Sequence, residues 1–148
     1  MPGRLPHTAD LAIRNDVADL AILRDALDRI GTAFSIPSRP LLQLQVALDE
    51  MVSNVVKYAW PEGGDHEARV RITVRVDGIE VEVVDDGRAF DPLLAPVPER
   101  PAPGRRPRPG GVGIHMVKHL VDGCDYARID GRNHLTVIKR CAIAEADR

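Results

Sequence analysis

Glu50 and Asn54 lie four residues apart in the segment LQLQVALDEMVSNVVKYAW. At that spacing two side chains share one face of a helix. A carboxylate can take a proton from an attacking hydroxyl or water. An amide oxygen beside it can join phosphate oxygens and waters around Mg²⁺. The plainer reading is a solvated polar face, shared with Gln43 and Lys57. Asp85-Asp86-Gly87 is a second candidate. An ionised Asp only accepts hydrogen bonds, so it can receive one from an adenine amino group. Gly87 would let the backbone approach the ring closely. The same three residues equally suit a turn that ends a strand. The third candidate is Gly110-Gly111-Val112-Gly113, which opens a helix. Glycines bare the backbone N–H groups, and a helix N-terminus attracts phosphate; an ordinary flexible joint would look the same.

Other chemistries lack their signatures. GxxxxGK[ST] is absent, so the glycines are not a Walker A loop. A proline-rich stretch precedes them where a dinucleotide fingerprint needs a strand. His115 and His119 have helical i, i+4 spacing, but HExxH and a third ligand are missing. No Ser–His–Asp set is signalled. The aromatics Phe34, Tyr58, Trp60, Phe90 and Tyr126 are scattered, which argues against a base-stacking platform.

These residues need elements to hold them. A short strand is predicted over Leu11 to Ile13. Asp16 then caps a helix running to about Phe34, with Ala18, Ile22, Ala26, Leu27 and Ile30 on its apolar side. Ser38 caps a second helix, with Pro40 in its first turn. Its apolar stripe is Leu41, Leu44, Leu48, Met51, Val52, Val55 and Ala59, and it stops before Pro61. Residues 69–84 alternate strictly, with Asp77-Gly78 as a two-residue hairpin turn. That turn sets Val76 against Ile79, Val74 against Val81 and Ile72 against Val83, with Arg75 opposite Glu80. Seven prolines between Pro92 and Pro109 exclude regular structure there. A loop of that length is commonly a functional lid, and Arg100, Arg105, Arg106 and Arg108 could meet phosphates or an acidic partner. A helix follows to about Val121. Strands at Tyr126–Ile129 and His134–Lys139 close the chain through Asp130-Gly131-Arg132-Asn133. Helices covering one face of a mostly antiparallel sheet make an α+β sandwich.

The bulk properties agree with one domain over residues 1–148. A chain of 148 residues suits a single domain. Its 44% apolar and 28% charged content is that of a globular protein. A net charge of −2 gives no general attraction to nucleic acid or an anionic membrane. The N-terminal segment has no apolar run of a signal peptide, and no stretch approaches a membrane span. The two cysteines, Cys124 and Cys141, read as reduced thiols of a cytoplasmic protein.

Taken in order, Glu50-x-x-x-Asn54, Asp85-x-Gly87 and Gly111-x-Gly113 resemble the N, G1 and G2 boxes of the GHKL ATPase superfamily. Within it, the chain resembles the bacterial anti-sigma factor serine kinases of RsbW type over about residues 8–140. The resemblance implies a Bergerat fold: a two-layer sandwich of a mixed, mostly antiparallel sheet with helices on one face. It implies ATP and Mg²⁺, with Glu50 as general base and Asn54 on Mg²⁺. Asp85, or its neighbour Asp86, would contact adenine. Gly87 would admit the base, Gly111 and Gly113 would cradle the phosphates, and Thr136 would lie near adenine. Residues 88–110 would form the ATP lid. Ala89 stands where the G1 box usually repeats glycine. The implied activity is phosphorylation of a serine on a STAS-type anti-sigma factor antagonist, with sigma factor binding and a homodimer. The alternative is an ATP-binding module that switches partners without phosphoryl transfer.

Overall fold

The computed structural model describes residues 4–92 and 111–143. Most of the expected lid, with its prolines and arginines, lies outside these residues. Strand β1 is His7–Arg14, longer than the predicted strand. A 3-10 turn, Val17–Asp19, leads into helix α1, Leu20–Ala33. Helix α2 is Ser38–Tyr58. Strands β2 (Glu67–Arg75) and β3 (Gly78–Asp85) follow. Helix α3 is Gly111–Leu120, and β4 (Gly123–Ile129) and β5 (Arg132–Arg140) form the last hairpin. The five strands form one sheet in the order β1-β2-β3-β5-β4. Each pairing between them is antiparallel. Among the described residues no helix is long and apolar enough to cross a membrane.

One face of the sheet carries the core. Ile13, Val70, Ile72, Val74, Ile79, Val81, Val83, Leu135 and Val137 join Leu23, Leu27, Leu44, Leu48 and Val52 in one cluster. Alternation along β2 sends Arg69, Arg71 and Arg75 to the other face, where they are exposed. Arg71 pairs there with Asp10 of β1 at 2.7 Å.

Three local expectations are corrected. Asp16 does cap, but its carboxylate takes the Ala18 N–H of the 3-10 turn at 2.9 Å. The helix then starts at Leu20, and its buried side is Leu20, Leu23, Leu27 and Ile30. Ile22 is 41% exposed and Ala18 is also outside the core. Ser38 is the first helical residue, and the flanking Pro37 leaves the helix with no side-chain cap. In the first hairpin the loop is Val76-Asp77, because Arg75 pairs with Gly78, Val74 with Ile79 and Ile72 with Val81. The reason lies in β5. A Cβ on Gly78 would stand 2.3 Å from the Lys139 carbonyl oxygen, so the glycine belongs to the strand that meets β5. Moving the turn back by one residue changes both partners together, so the apolar face is kept. Arg71 now stands directly opposite Glu82, and Arg75 still reaches Glu80 at 3.4 Å.

Candidate nucleotide site

Helix α2 supplies the first two residues and is itself tied twice to α1. Arg24 of α1 bonds Asp49 at 2.6 Å, and Gln45 donates to Asp28 at 2.7 Å. Asn54 Nδ2 points at Glu50 Oε1 at 3.4 Å. That contact turns the amide nitrogen toward the carboxylate and leaves the amide oxygen as an acceptor. Both side chains are half-buried. Glu50 lines a cleft of about 420 Å³ with Arg24 and Asp28 of α1, Val46 and Asp49 of α2, and Met116 and Leu120 of α3; Asn54, Asp85 and Gly87 do not line it.

The strand-end acid is fastened to the far end of the same helix. Asp85 ends β3, at the centre of the sheet, and is buried. Gly87 is so close to Ala59 that a Cβ would stand 2.5 Å from its carbonyl oxygen. Arg88 N–H donates to that same oxygen at 2.8 Å. Asp86 is exposed and accepts from Trp60 Nε1 at 2.9 Å. Trp60 stacks on His66 with centroids 5.0 Å apart. Asn15 holds His66 from both sides, through its own N–H to the His66 carbonyl at 3.0 Å and its side-chain oxygen to the His66 N–H at 3.2 Å.

Asp85 Oδ1 accepts from Gly87 N–H at 3.0 Å and from Asn133 Nδ2 at 2.9 Å. Burial pushes the Asp85 carboxyl above its usual range, while these two hydrogen bonds pull the other way. Asn133 was not marked by the sequence beyond its place near a turn. Asp130 and Gly131 make that turn, with φ of 50° and 75°, and Asn133 enters β5 opposite Asp85.

Thr136 lies elsewhere. It alternates with the buried Leu135 and Val137 and pairs with Glu82 across β3. It therefore stands on the sheet face away from the helices, whereas Asp85 faces them. The residues of β5 on the face shared with Asp85 are Asn133, Leu135, Val137 and Lys139, with Asn133 directly opposite Asp85. Gly111 begins α3 and Gly113 lies in its first turn. The other end of α3 is pinned by Lys139, whose ammonium donates to the Leu120 carbonyl at 2.7 Å. A cation suits a helix C-terminus, where the last carbonyls lack partners.

Glu50 and Asn54 thus lie on α2, and the Asp85–Gly87 corner abuts the end of that helix at Ala59. Nine residues separate Glu50 from Ala59, about 13 Å at the helical rise of ~1.5 Å per residue. Asn54 lies between them, and α3 packs alongside. A buried carboxylate, Asp85, stands at one end of this stretch and a half-buried one, Glu50, at the other.

Residues 13–139 match the family model described as histidine kinase-like ATPase domain. The chain belongs to this family of kinase-like ATPases. Over 101 residues it is 34% identical to the serine/threonine-protein kinase BtrW of Bordetella bronchiseptica, a match covering 67% of this chain and 70% of that protein. Over 123 residues it is 25% identical to the serine-protein kinase RsbW of Bacillus subtilis, covering 80% and 74% respectively. The solved structure of the RsbU and RsbW domains of Rv1364c from Mycobacterium tuberculosis shares the fold. Its TM-score is 0.64 at 14% identity, covering 96% of this chain; the chain spans 34% of that longer protein.

Proposed function

We propose that this chain is an Mg·ATP-dependent serine-protein kinase and anti-sigma factor. In this reading it phosphorylates a STAS-type anti-sigma factor antagonist and binds a sigma factor, switching between the two in the cytoplasm as a homodimer. The observation that carries the reading is the order along α2: the Asp85–Gly87 corner at Ala59, then Asn54, then Glu50 in the cleft. That order matches a nucleotide laid along the helix, base at the strand end and γ-phosphate near the carboxylate. The kinase names of the relatives support the same activity.

Each residue has a defined task. Asp85 accepts a hydrogen bond from the adenine amino group, and Gly87 gives the base room. The backbone N–H groups at Gly111 and Gly113 meet the phosphates at the start of α3. Glu50 accepts the proton of the attacking serine hydroxyl as its oxygen bonds to the γ-phosphorus and the bond to ADP breaks. The Asn54 oxygen suits Mg²⁺, a hard cation that keeps oxygen ligands, and would hold it beside the phosphates. Bound there, the ion would offset charge on the phosphoryl oxygens.

The test is phosphoryl transfer from γ-labelled ATP to a STAS antagonist encoded beside the gene. Wild-type protein should label one serine of the antagonist. Glu50→Ala should still bind ATP and lose transfer by about 10²–10⁴-fold. ATP binding without transfer in the wild type would instead favour a partner-switching module, and unaltered transfer by Glu50→Ala would remove Glu50 from its role.

A further inference from the structure

The side chain of Asn133 makes four hydrogen bonds. Its Nδ2 donates to Asp85 Oδ1 at 2.9 Å and to the Arg88 carbonyl at 2.8 Å. Its Oδ1 accepts from the Tyr126 hydroxyl at 2.5 Å and from Phe90 N–H at 3.4 Å. An amide offers two donors and two acceptor positions, so the group is saturated and its orientation is fixed by its partners. Asn133 is 6% exposed and Asp85 5%.

This has a consequence for Asp85. Both of its hydrogen bonds among the described residues fall on Oδ1, from Gly87 N–H and from Asn133. Those two bonds use both lone pairs of that oxygen. Only Oδ2 remains to receive a hydrogen bond from a ligand. Adenine presents one exocyclic amino group on its pairing edge. Guanine presents a ring N–H and an amino group side by side, which a carboxylate meets best with both oxygens.

We propose that Asn133 is a specificity-determining positioning residue: by occupying Asp85 Oδ1 it leaves a single acceptor, which selects adenine over guanine. The inference rests on the reading of Asp85 as the base-binding residue. Asn133 acts through Asp85 and through the strand register that pairs them, without touching the nucleotide.

The experiment measures dissociation constants of the full chain for Mg·ATP and Mg·GTP by calorimetry. Wild type should favour ATP. In Asn133→Leu, Gly87 N–H keeps its bond to Asp85 Oδ1, but the lone pair that Asn133 filled is freed, so each carboxylate oxygen can accept one hydrogen bond from the ligand. The preference for ATP over GTP should then fall by about tenfold, the effect of one charge-assisted hydrogen bond gained or lost. A change in folding alone would weaken both nucleotides together and leave their ratio where it was. Tyr126→Phe removes one of the four bonds with little loss of volume and should move the ratio the same way by a smaller factor. It carries the test should the leucine variant not fold. A ratio unchanged in every folded variant overturns the role of Asn133 while leaving the nucleotide site standing. Absence of ATP binding by the wild type overturns the site itself and this inference with it.

Discussion

Gly87 and Ala59 touch so closely that the end of β3 and the end of α2 behave as one corner. A methyl group on Gly87 would meet Ala59 Cβ and its carbonyl oxygen, each at 2.5 Å. The carbonyl is backbone and already accepts from Arg88, so it cannot swing aside without breaking that bond. The corner joins the strand carrying Asp85 to the helix carrying Glu50 and Asn54.

Gly87→Ala should therefore separate the two elements. The cost of forcing a methyl into a filled space is about 1–3 kcal/mol. Urea unfolding should show that loss, and thermal-shift titration should show ATP affinity falling with it. Stability equal to wild type would mean that the corner is looser than described.

Asp85 and Asp86 should differ sharply on substitution. Asp86 is exposed and engaged with Trp60, the only tryptophan of the chain. Asp86→Ala should cost about 0.5–1.5 kcal/mol of stability and change tryptophan fluorescence, while ATP affinity stays within about threefold, less than the loss of one hydrogen bond. Asp85→Ala should abolish measurable ATP binding. The reverse pattern in a fluorescence titration would assign the base contact to Asp86.

Asp19 gives a pH signature to folding. Arg14 reaches it with its side chain and its backbone N–H, each at 2.9 Å. These bonds hold the Asp19 carboxyl down to about 2. A carboxyl whose folded value lies below its unfolded value of ~3.9 stabilises the fold above that pH. Its contribution is lost as pH falls from about 4 through about 2. Denaturant midpoints of wild type and Asp19→Asn should diverge near neutrality and converge at the bottom of that window. Parallel curves would remove the ion pair from the account.

Asp85 predicts the opposite direction for the ligand. Burial holds its carboxyl above the usual range, and the proposed adenine contact needs the ionised acceptor. Affinity for adenosine, which carries no titrating phosphate, should decline on acidification at a pH where ordinary surface carboxylates are still charged. The same raised value means that ionising Asp85 works against folding as pH rises, so Asp85→Asn should recover stability near neutrality. A flat affinity profile down to the ordinary carboxylate range would contradict the burial argument.

The elements were legible in the sequence because periodicity reports burial. Val70, Ile72, Val74, Ile79, Val81 and Val83 alternate, and they line the core face. Leu44, Leu48, Met51 and Val52 recur at helical spacing, and they too are buried. The hairpin register escaped because Asp77-Gly78 carries a strong local turn signal, while the demand on Gly78 comes from β5, more than sixty residues away. Ile22 was misread because the 3-10 turn shifts where the helix begins. The chemistry of Glu50, Asn54 and Asp85 was suggested by residue type and spacing. Thr136 could not be assigned to a face until Leu135 and Val137 were seen to be buried. Asn133 could not be found at all, because its value lies in four partners scattered along the sequence from Asp85 to Tyr126.

Beyond β5 the backbone does not leave the body of the protein at once. Cys141 N–H donates to the Asp77 carbonyl at 3.1 Å, Ile143 N–H donates to the Val76 carbonyl at 3.0 Å, and Ile143 is buried. Residues 141–143 act as a clasp over the tip of the first hairpin. A fusion partner or affinity tag joined directly behind Arg140 would unfasten it, exposing apolar surface at the place where Gly78 and Lys139 meet. Recombinant versions of this protein should keep the clasp whole and place any addition after Ile143.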